Sequence, residues 1–199
     1  MRFAHAKCRR SYRARRYSPR IRRNIYPGGF HGSRLDDCAP GTAAKWIRYQ
    51  AYPEQHPLIS FNGRGGVTVE STAAYIELGG FTITGNNDHV TLQEAQRQGQ
   101  TPNPAYNGNC KIARGNADAN LTQNPHHRRI VNNVIGKCGG GGIATMNSDY
   151  VTIWDDIVYD SAWYSIYGNS GISTYEDWNS DNYTGYKMFI ADNRVFWQS

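Results

Sequence analysis

Between Trp163 and Tyr186 the chain gathers seven aromatic residues, Trp163, Tyr164, Tyr167, Tyr175, Trp178, Tyr183 and Tyr186, together with Glu176, Asp177 and Asp181. None of the seven is Phe. Flat rings with a polar edge suit sugars, because the ring covers a C–H face while the edge bonds a hydroxyl. Trp163, Tyr164, Tyr167, Tyr175, Trp178 and Asp181 are therefore candidate substrate contacts. Glu176 and Asp177 have the chemistry of a paired acid and base, or of Ca²⁺ ligands. The competing reading is that several of these rings stack inside the protein or pin a long loop.

A second cluster is Asn124-Pro125-His126-His127-Arg128-Arg129. Imidazoles titrate near neutrality, so His126 and His127 are candidate proton carriers. On a strand Arg128 and Arg129 point to opposite sides. Arg129 is expected to face solvent and meet substrate, while Arg128 must either snorkel out or disturb the core. A third cluster stacks Asp155-Asp156 on Asp192-Asn193 and Asn132-Asn133. Asp and Asn tolerate a left-handed corner and bond neighbouring backbone. Carboxylates one strand spacing apart, roughly 4.8 Å, repel unless a cation sits among them. Asp155, Asp156 and Asp192 are thus the candidate Ca²⁺ ligands. Lys111, Lys137 and Lys187 fall in no recognisable catalytic motif.

The elements that must position these groups show as a repeat. Tyr75–Thr84, His127–Gly136, Tyr150–Tyr159 and Lys187–Phe196 align as ten-residue windows. Their fourth column is Leu78, Ile130, Ile153, Ile190, and their ninth is Ile83, Ile135, Val158, Val195. Between these columns lies a pair at a tight corner: Gly80-Phe81, Asn132-Asn133, Asp155-Asp156, Asp192-Asn193. The pattern predicts strand, corner, strand. Columns two and four should face the core, which Ile76, Val151 and Met188 satisfy and Arg128 does not. A further strand is predicted before each window, at Gly66–Val69, Cys110–Ala113, Gly142–Thr145 and Gly171–Thr174. The closest windows start 23 residues apart, and the wider gaps are read as the same unit plus loops inserted on one flank. Units of fixed length that bury their apolar faces only on neighbours make a stacked architecture.

At 199 residues the chain suffices for one domain with a real core. No apolar run reaches 18 residues, so no membrane span is expected. Residues 1–34 carry ten Arg, one Lys and no acid, or +11, which against a net charge of +6 leaves −5 on the rest. Such a basic block resists packing and is expected to be irregular; it is the one place where nucleic acid or another polyanion could bind. It lacks the apolar stretch of a signal peptide. Cys8, Cys38, Cys110 and Cys138 show no metal-binding spacing. Cys110 and Cys138 flank adjacent units and could form a disulfide or stay as buried thiols. Asn120-Leu-Thr122 and Asn182-Tyr-Thr184 fit the glycosylation triplet, which occurs often by chance.

From Gly41 onward, about three quarters of the chain, the sequence resembles secreted right-handed parallel β-helix proteins of the pectate-lyase-like superfamily, and residues 41–63, 73–87, 124–153 and 162–195 carry the resemblance. Ile25–Gly32 resembles a worn opening rung of that family, and the chain stops at Ser199 just past a strand. The resemblance implies an all-β fold, a right-handed parallel β-helix or solenoid of about five rungs with long loops on one face. Residues 1–40 would be an irregular basic segment with a degenerate first rung, and 41–199 the β-helix domain. It implies an extracellular enzyme acting on polysaccharide, a lyase working by β-elimination on a uronate-containing glycan, with Ca²⁺ as cofactor. Arg129, His126, His127, Glu176 and Asp177 are the candidate catalytic residues. A non-catalytic glycan-binding adhesin, a glycoside hydrolase and an inactive truncated paralogue stand as alternatives. An uncapped last rung would also favour end-to-end self-association.

Overall fold

The computed structural model describes residues 40–61, 65–69, 73–100, 110–114, 124–165 and 168–196. The basic segment 1–34, the worn first rung, Cys8, Cys38, Tyr167 and Asn120-Leu-Thr122 lie outside these residues.

Each repeat window folds as two strands separated by a two-residue corner. Strands β1 (Ile47–Gln50) and β2 (Leu58–Ser60) are followed by β3 (Val67–Val69), β4 (Ala74–Gly79) and β5 (Thr82–Thr84). After these come β6 (Lys111–Arg114), β7 (His126–Val131), β8 (Val134–Gly136), β9 (Ile143–Met146), β10 (Asp149–Trp154) and β11 (Ile157–Tyr159). The last three strands are β12 (Ile172–Tyr175), β13 (Met188–Ala191) and β14 (Arg194–Phe196). They form three sheets, β1-β4-β7-β10-β13, β2-β5-β8-β11-β14 and β3-β6-β9-β12, each taking every third strand of the chain. Every pairing between these strands is parallel. The protein is mostly β, and its sheets are parallel throughout.

The repeat columns are rows of registered neighbours. Leu78 pairs with Ile130, Ile130 with Ile153, and Ile153 with Ile190. Ile83, Ile135, Val158 and Val195 pair in the same sequence. All of these but Ile190 and Val195 meet in one core with Val67, Ile143, Cys110 and Cys138. Ile153 is fully buried, whereas its register partner Ile190 on the edge strand is 48% exposed. Burial therefore depends on having a strand on both sides, as expected of layers that cover one another.

The corners explain the polar pairs. Gly80, Asn132, Asp155 and Asp192 all have left-handed backbone, with φ of 77°, 52°, 55° and 57°. Gly adopts this region freely, and Asn and Asp do so at less cost than other residues. The next position turns inward. Asn133 donates from Nδ2 to the carbonyls of Leu78 and Val131 and accepts the Phe81 N–H on Oδ1. Its own N–H and Nδ2 reach Asp156 Oδ1, each at 2.8 Å. The Asp156 N–H donates to Asn193 Oδ1, and Asn193 Nδ2 to the Ile153 carbonyl. The ladder satisfies backbone groups that a two-residue corner leaves without strand partners.

Two features depart from the sequence reading. Arg128 neither snorkels out nor disrupts its row. It pairs between Ile76 and Val151, is buried, and donates from Nη1 and Nη2 to the carbonyls of Val69 and Ala73, both at 3.1 Å. Backbone acceptors at the end of β3 and just before β4 give a cation a place among aliphatic side chains. Burial still pulls its pKa down to about 9. Second, the gap between the first two windows holds a helix, α1 (Leu92–Gly99), where a plain loop was expected. Thr91 caps it by accepting the Glu94 N–H, the S/T-x-x-E signature of a helix start. Of the two states that the sequence leaves open for Cys110 and Cys138, the structure takes the disulfide. Among the described residues no helix is long and apolar enough to cross a membrane.

Candidate functional site

The outward face of the sheet β1-β4-β7-β10-β13 carries the chemistry. Since Arg128, Ile130, Val151 and Ile153 point inward, alternation sends Arg129, Thr152 and Trp154 outward. Glu77, Arg129, Thr152 and Phe189 pair in register across four strands and form one outward row. Arg129 lies 3.4 Å from Glu77, and its guanidinium sits 4.1 Å over the Trp46 ring. Glu77 also meets Arg48 at 3.5 Å.

The first column of the repeat makes the adjoining row. Tyr75, His127 and Tyr150 all have left-handed backbone, with φ of 56°, 53° and 52°. Residues other than glycine seldom adopt it, and three in equivalent places mark a shared backbone kink rather than an accident. Their rings stack: Tyr75 on His127 at 4.5 Å between centroids, His127 on Tyr150 at 4.2 Å, and Tyr150 with Tyr183 at 6.4 Å. Trp46 packs edge-on against Tyr75. His126 stands edge-on to both Tyr75 and His127, and the two imidazoles approach at 2.8 Å between their Nδ1 atoms. Because the stacked rings cover one another, the row offers edges rather than open faces.

Past Tyr150 the row ends in an ionic cluster. Lys187, its ammonium nearly buried, reaches Asp181 at 2.8 Å and Asp149 at 3.3 Å and lies 5.0 Å from the Tyr150 ring centre. Asp149 is buried and accepts the Ser180 N–H at 2.7 Å and its hydroxyl at 2.6 Å. The Tyr150 hydroxyl donates to the Asp181 carboxylate at 2.8 Å. Bonds from Lys187, Tyr150 and the Tyr183 N–H hold the Asp181 pKa at about 2. Burial opposes charge on Lys187, but its bonds to Asp181 and Asp149 prevail and its pKa lies above the ordinary value. The Tyr150 phenol is raised by desolvation and by the Asp181 bond, so it stays protonated. Both histidines are lowered, first by desolvation, then by Arg128 for His126 and by His126 itself for His127, with Asp149 and Asp181 pulling the other way. At neutral pH the pair is uncharged beside Arg129. An open concavity of about 690 Å³ adjoins the cluster, walled by Asp181, Tyr183, Tyr186, Lys187 and Met188.

The structure gathers only part of the expected site. His126, His127, Arg129 and Asp181 share this face. Trp163 and Tyr164 are exposed on the β11–β12 connection, where the Ala162 N–H anchors the chain to the Cys138 carbonyl. Tyr175 is the last residue of β12, and Glu176, Asp177 and Trp178 follow it. The Glu176 carbonyl accepts from Asn147, Asp177 accepts the Ser148 N–H at 3.3 Å, and the Trp178 N–H bonds the Ser148 carbonyl. Partial desolvation raises the Asp177 pKa above the usual carboxylate range. Among the described residues Trp163, Tyr164, Tyr175 and Trp178 enter no ring stack. Asp156 turns into the core, whereas Asp155 and Asp192 are exposed, and Asp192 accepts from the Trp154 indole at 2.7 Å. These three carboxylates do not converge, and among the described residues no three His, Cys, Asp or Glu side chains form a metal-binding group. Tyr75, Tyr150, Asp149 and Lys187 were missed. Three of them hold the first column of the repeat, a signal passed over because its residue types differ from window to window.

Searched against known protein families, curated proteins and solved structures, the chain matches none of them.

Proposed function

We propose that the chain is a right-handed parallel β-helix, secreted from the cell, that holds an anionic uronate-containing polysaccharide along its His/Arg/Tyr face and cleaves it by β-elimination. What supports a β-helix is that each of the three parallel sheets takes every third strand. The Cys110–Cys138 disulfide supports an oxidising compartment.

The observation that carries the lyase reading is an uncharged imidazole pair on the face that presents Arg129, one strand away from a protonated phenol. β-Elimination needs a base for the proton α to the carboxylate, a cation to take charge developing on that carboxylate, and an acid for the leaving oxygen. A neutral imidazole supplies the first, Arg129 the second, and Tyr150 or a second imidazole the third. Asp155, Asp156 and Asp192 do not fit a common cation, because Asp156 turns inward while Asp155 and Asp192 face solvent, and no step is assigned to calcium. Incubating the full chain with a panel of acidic polysaccharides tests the reading through ultraviolet absorbance of the unsaturated uronate product. The expected result is absorbance that His127→Gln and Arg129→Gln each reduce at least 100-fold, within the usual range for acid–base groups. Reducing ends released without absorbance would replace lyase by hydrolase.

A second reading, glycan binding without chemistry, is favoured by the saturation of Lys187 between two carboxylates and by the mutual covering of the stacked rings. Sugar faces would then lie on the exposed Tyr183 and Tyr186. Retention on an acidic glycan column with no product of either kind, lost in Tyr186→Ala, would decide for it.

A further inference from the structure

Adjacent residues of a strand normally point to opposite faces. His126 and His127 do not, because the left-handed φ of 53° at His127 brings the second ring round to the first. Their Nδ1 atoms end 2.8 Å apart. Two imidazole lone pairs cannot face each other at that distance; one nitrogen must carry a hydrogen and the other accept it. The rings therefore hold opposite tautomers. One presents a bare Nε2 and the other an Nε2–H. Tyr75 and Tyr150 cover both faces of His127, so its ring is reached only at the edge. His127 occupies the row adjoining that of Arg129 and lies two residues from it on the same strand.

We propose, resting on the lyase reading above, that His126 and His127 act as one proton relay in which His127 takes the substrate proton and His126 delivers a proton to the leaving oxygen. At the start His127 carries Nδ1–H and a free Nε2, and His126 carries Nε2–H and an Nδ1 that accepts. Nε2 of His127 removes the proton from the carbon α to the uronate carboxylate, and the C–H electron pair moves onto the carboxylate, facing Arg129. His127 passes its Nδ1 proton across to Nδ1 of His126. The electron pair returns to form the C=C bond, the C–O bond breaks with its pair on the glycosidic oxygen, and that oxygen takes the Nε2 proton of His126. One proton has moved from carbon to oxygen and the dyad is again neutral, with its two tautomers exchanged. Transfer back through the bridge, with water exchanging at the two Nε2 atoms, resets it. Neither ring holds a full positive charge for long, which suits a pair on which Arg128 and Arg129 act against protonation while Asp149 and Asp181 act for it.

The test has one arm that needs no turnover. Long-range proton–nitrogen NMR on the ¹⁵N-labelled full chain at neutral pH should show one imidazole protonated at Nδ1 and another at Nε2, and His126→Gln should remove the bridging signal. Two rings both protonated at Nε2 overturn the relay, whatever the activity. The second arm measures kcat/KM for elimination in mixtures of H₂O and D₂O. The relay gives a curved dependence, from more than one solvent-derived proton in flight, which becomes linear in His126→Gln along with a loss of about 100-fold. A linear dependence in the native protein, or an active His126→Gln within twofold of it, overturns the relay and leaves the lyase reading standing. Opposite tautomers without unsaturated product from any acidic glycan sink the lyase reading and the relay with it, while leaving the paired rings as observed.

Discussion

Arg128 tests the energetic account of the fold most sharply, because two opposed terms of similar size meet in one side chain. Its guanidinium makes at least two charge-assisted bonds, to the carbonyls of Val69 and Ala73. Bonds of this kind contribute about 1.5–3 kcal/mol each. Against them stands the cost of taking a cation out of water, several kcal/mol even after relaxation. Arg128→Ala removes the bonds, keeps the acceptors buried and opens a void, so a loss of about 3–5 kcal/mol is expected. For a chain of this length that lowers the melting temperature by roughly 6–20 °C, at 2–4 °C per kcal/mol. Arg128→Met fills the space with the residue that stands in the same column at Met188. It loses the bonds but also the desolvation cost, so about 1–2 kcal/mol of destabilisation is expected. Urea unfolding followed by circular dichroism measures both variants, with an unchanged denaturant slope as the check that two-state behaviour holds. A Met variant as stable as the native chain, or more so, would refute the claim that the guanidinium clamps the end of β3 to the residue before β4.

The corner ladder predicts that Asn133→Ala costs about 2–4 kcal/mol in the same assay, because it strands the Phe81 N–H and two carbonyls in the interior; a cost below 0.5 kcal/mol would mean the ladder is decoration. Replacing Cys110 and Cys138 together by Ala frees a bridge across a separation of 28 residues, which chain entropy puts at about 3–4 kcal/mol, and reductant should give the same shift in the native chain but none in the variant. The histidines set a pH dependence whose sign follows from their lowered folded pKa values. Below the ordinary 6.5 the unfolded chain binds protons that the folded chain refuses, so their contribution is complete above that pH and is lost as pH falls toward the folded values. Melting curves between pH 7 and 5 should slope accordingly, and the slope should flatten in a His126→Gln, His127→Gln double variant.

The aliphatic columns were legible because burial between layers imposes one residue class on every repeat. Leu78, Ile130 and Ile153 have no alternative once a strand lies on each side. The corner positions were legible for a different reason: a left-handed φ selects Gly, Asn or Asp, so Gly80, Asn132, Asp155 and Asp192 announce their backbone. Arg128 was misjudged because sequence shows the column a residue occupies but not which carbonyls are within its reach, here ones 55 and 59 residues away. Helix α1 was missed although Thr91 and Glu94 spelled out its start, since eight residues in an inserted stretch have no repeat to be compared with.

The site was the least legible, and the reason is physical. Tyr75, His127, Tyr150 and Lys187 stand in one column yet share no residue class, because the outward face selects contact between neighbours rather than exclusion of water. A ring needs another ring beside it, and at the end of the row a cation over Tyr150 can take that place, as Lys187 does at 5.0 Å. The constraint acts on pairs: Tyr with His, His with Tyr, Tyr with Lys. The aromatics of residues 163–186 are divided for the complementary reason, since Trp163 and Tyr164 precede β12 while Tyr183 and Tyr186 follow it. Stacking along the layers, not density along the chain, decides which side chains meet. On that argument the residues opposite His127 and Arg129 on neighbouring strands, Tyr150, Glu77 and Thr152, should alter any glycan selectivity more than Trp163 or Tyr164, and paired alanine variants assayed for binding to acidic polysaccharide would show the reverse order if it were wrong.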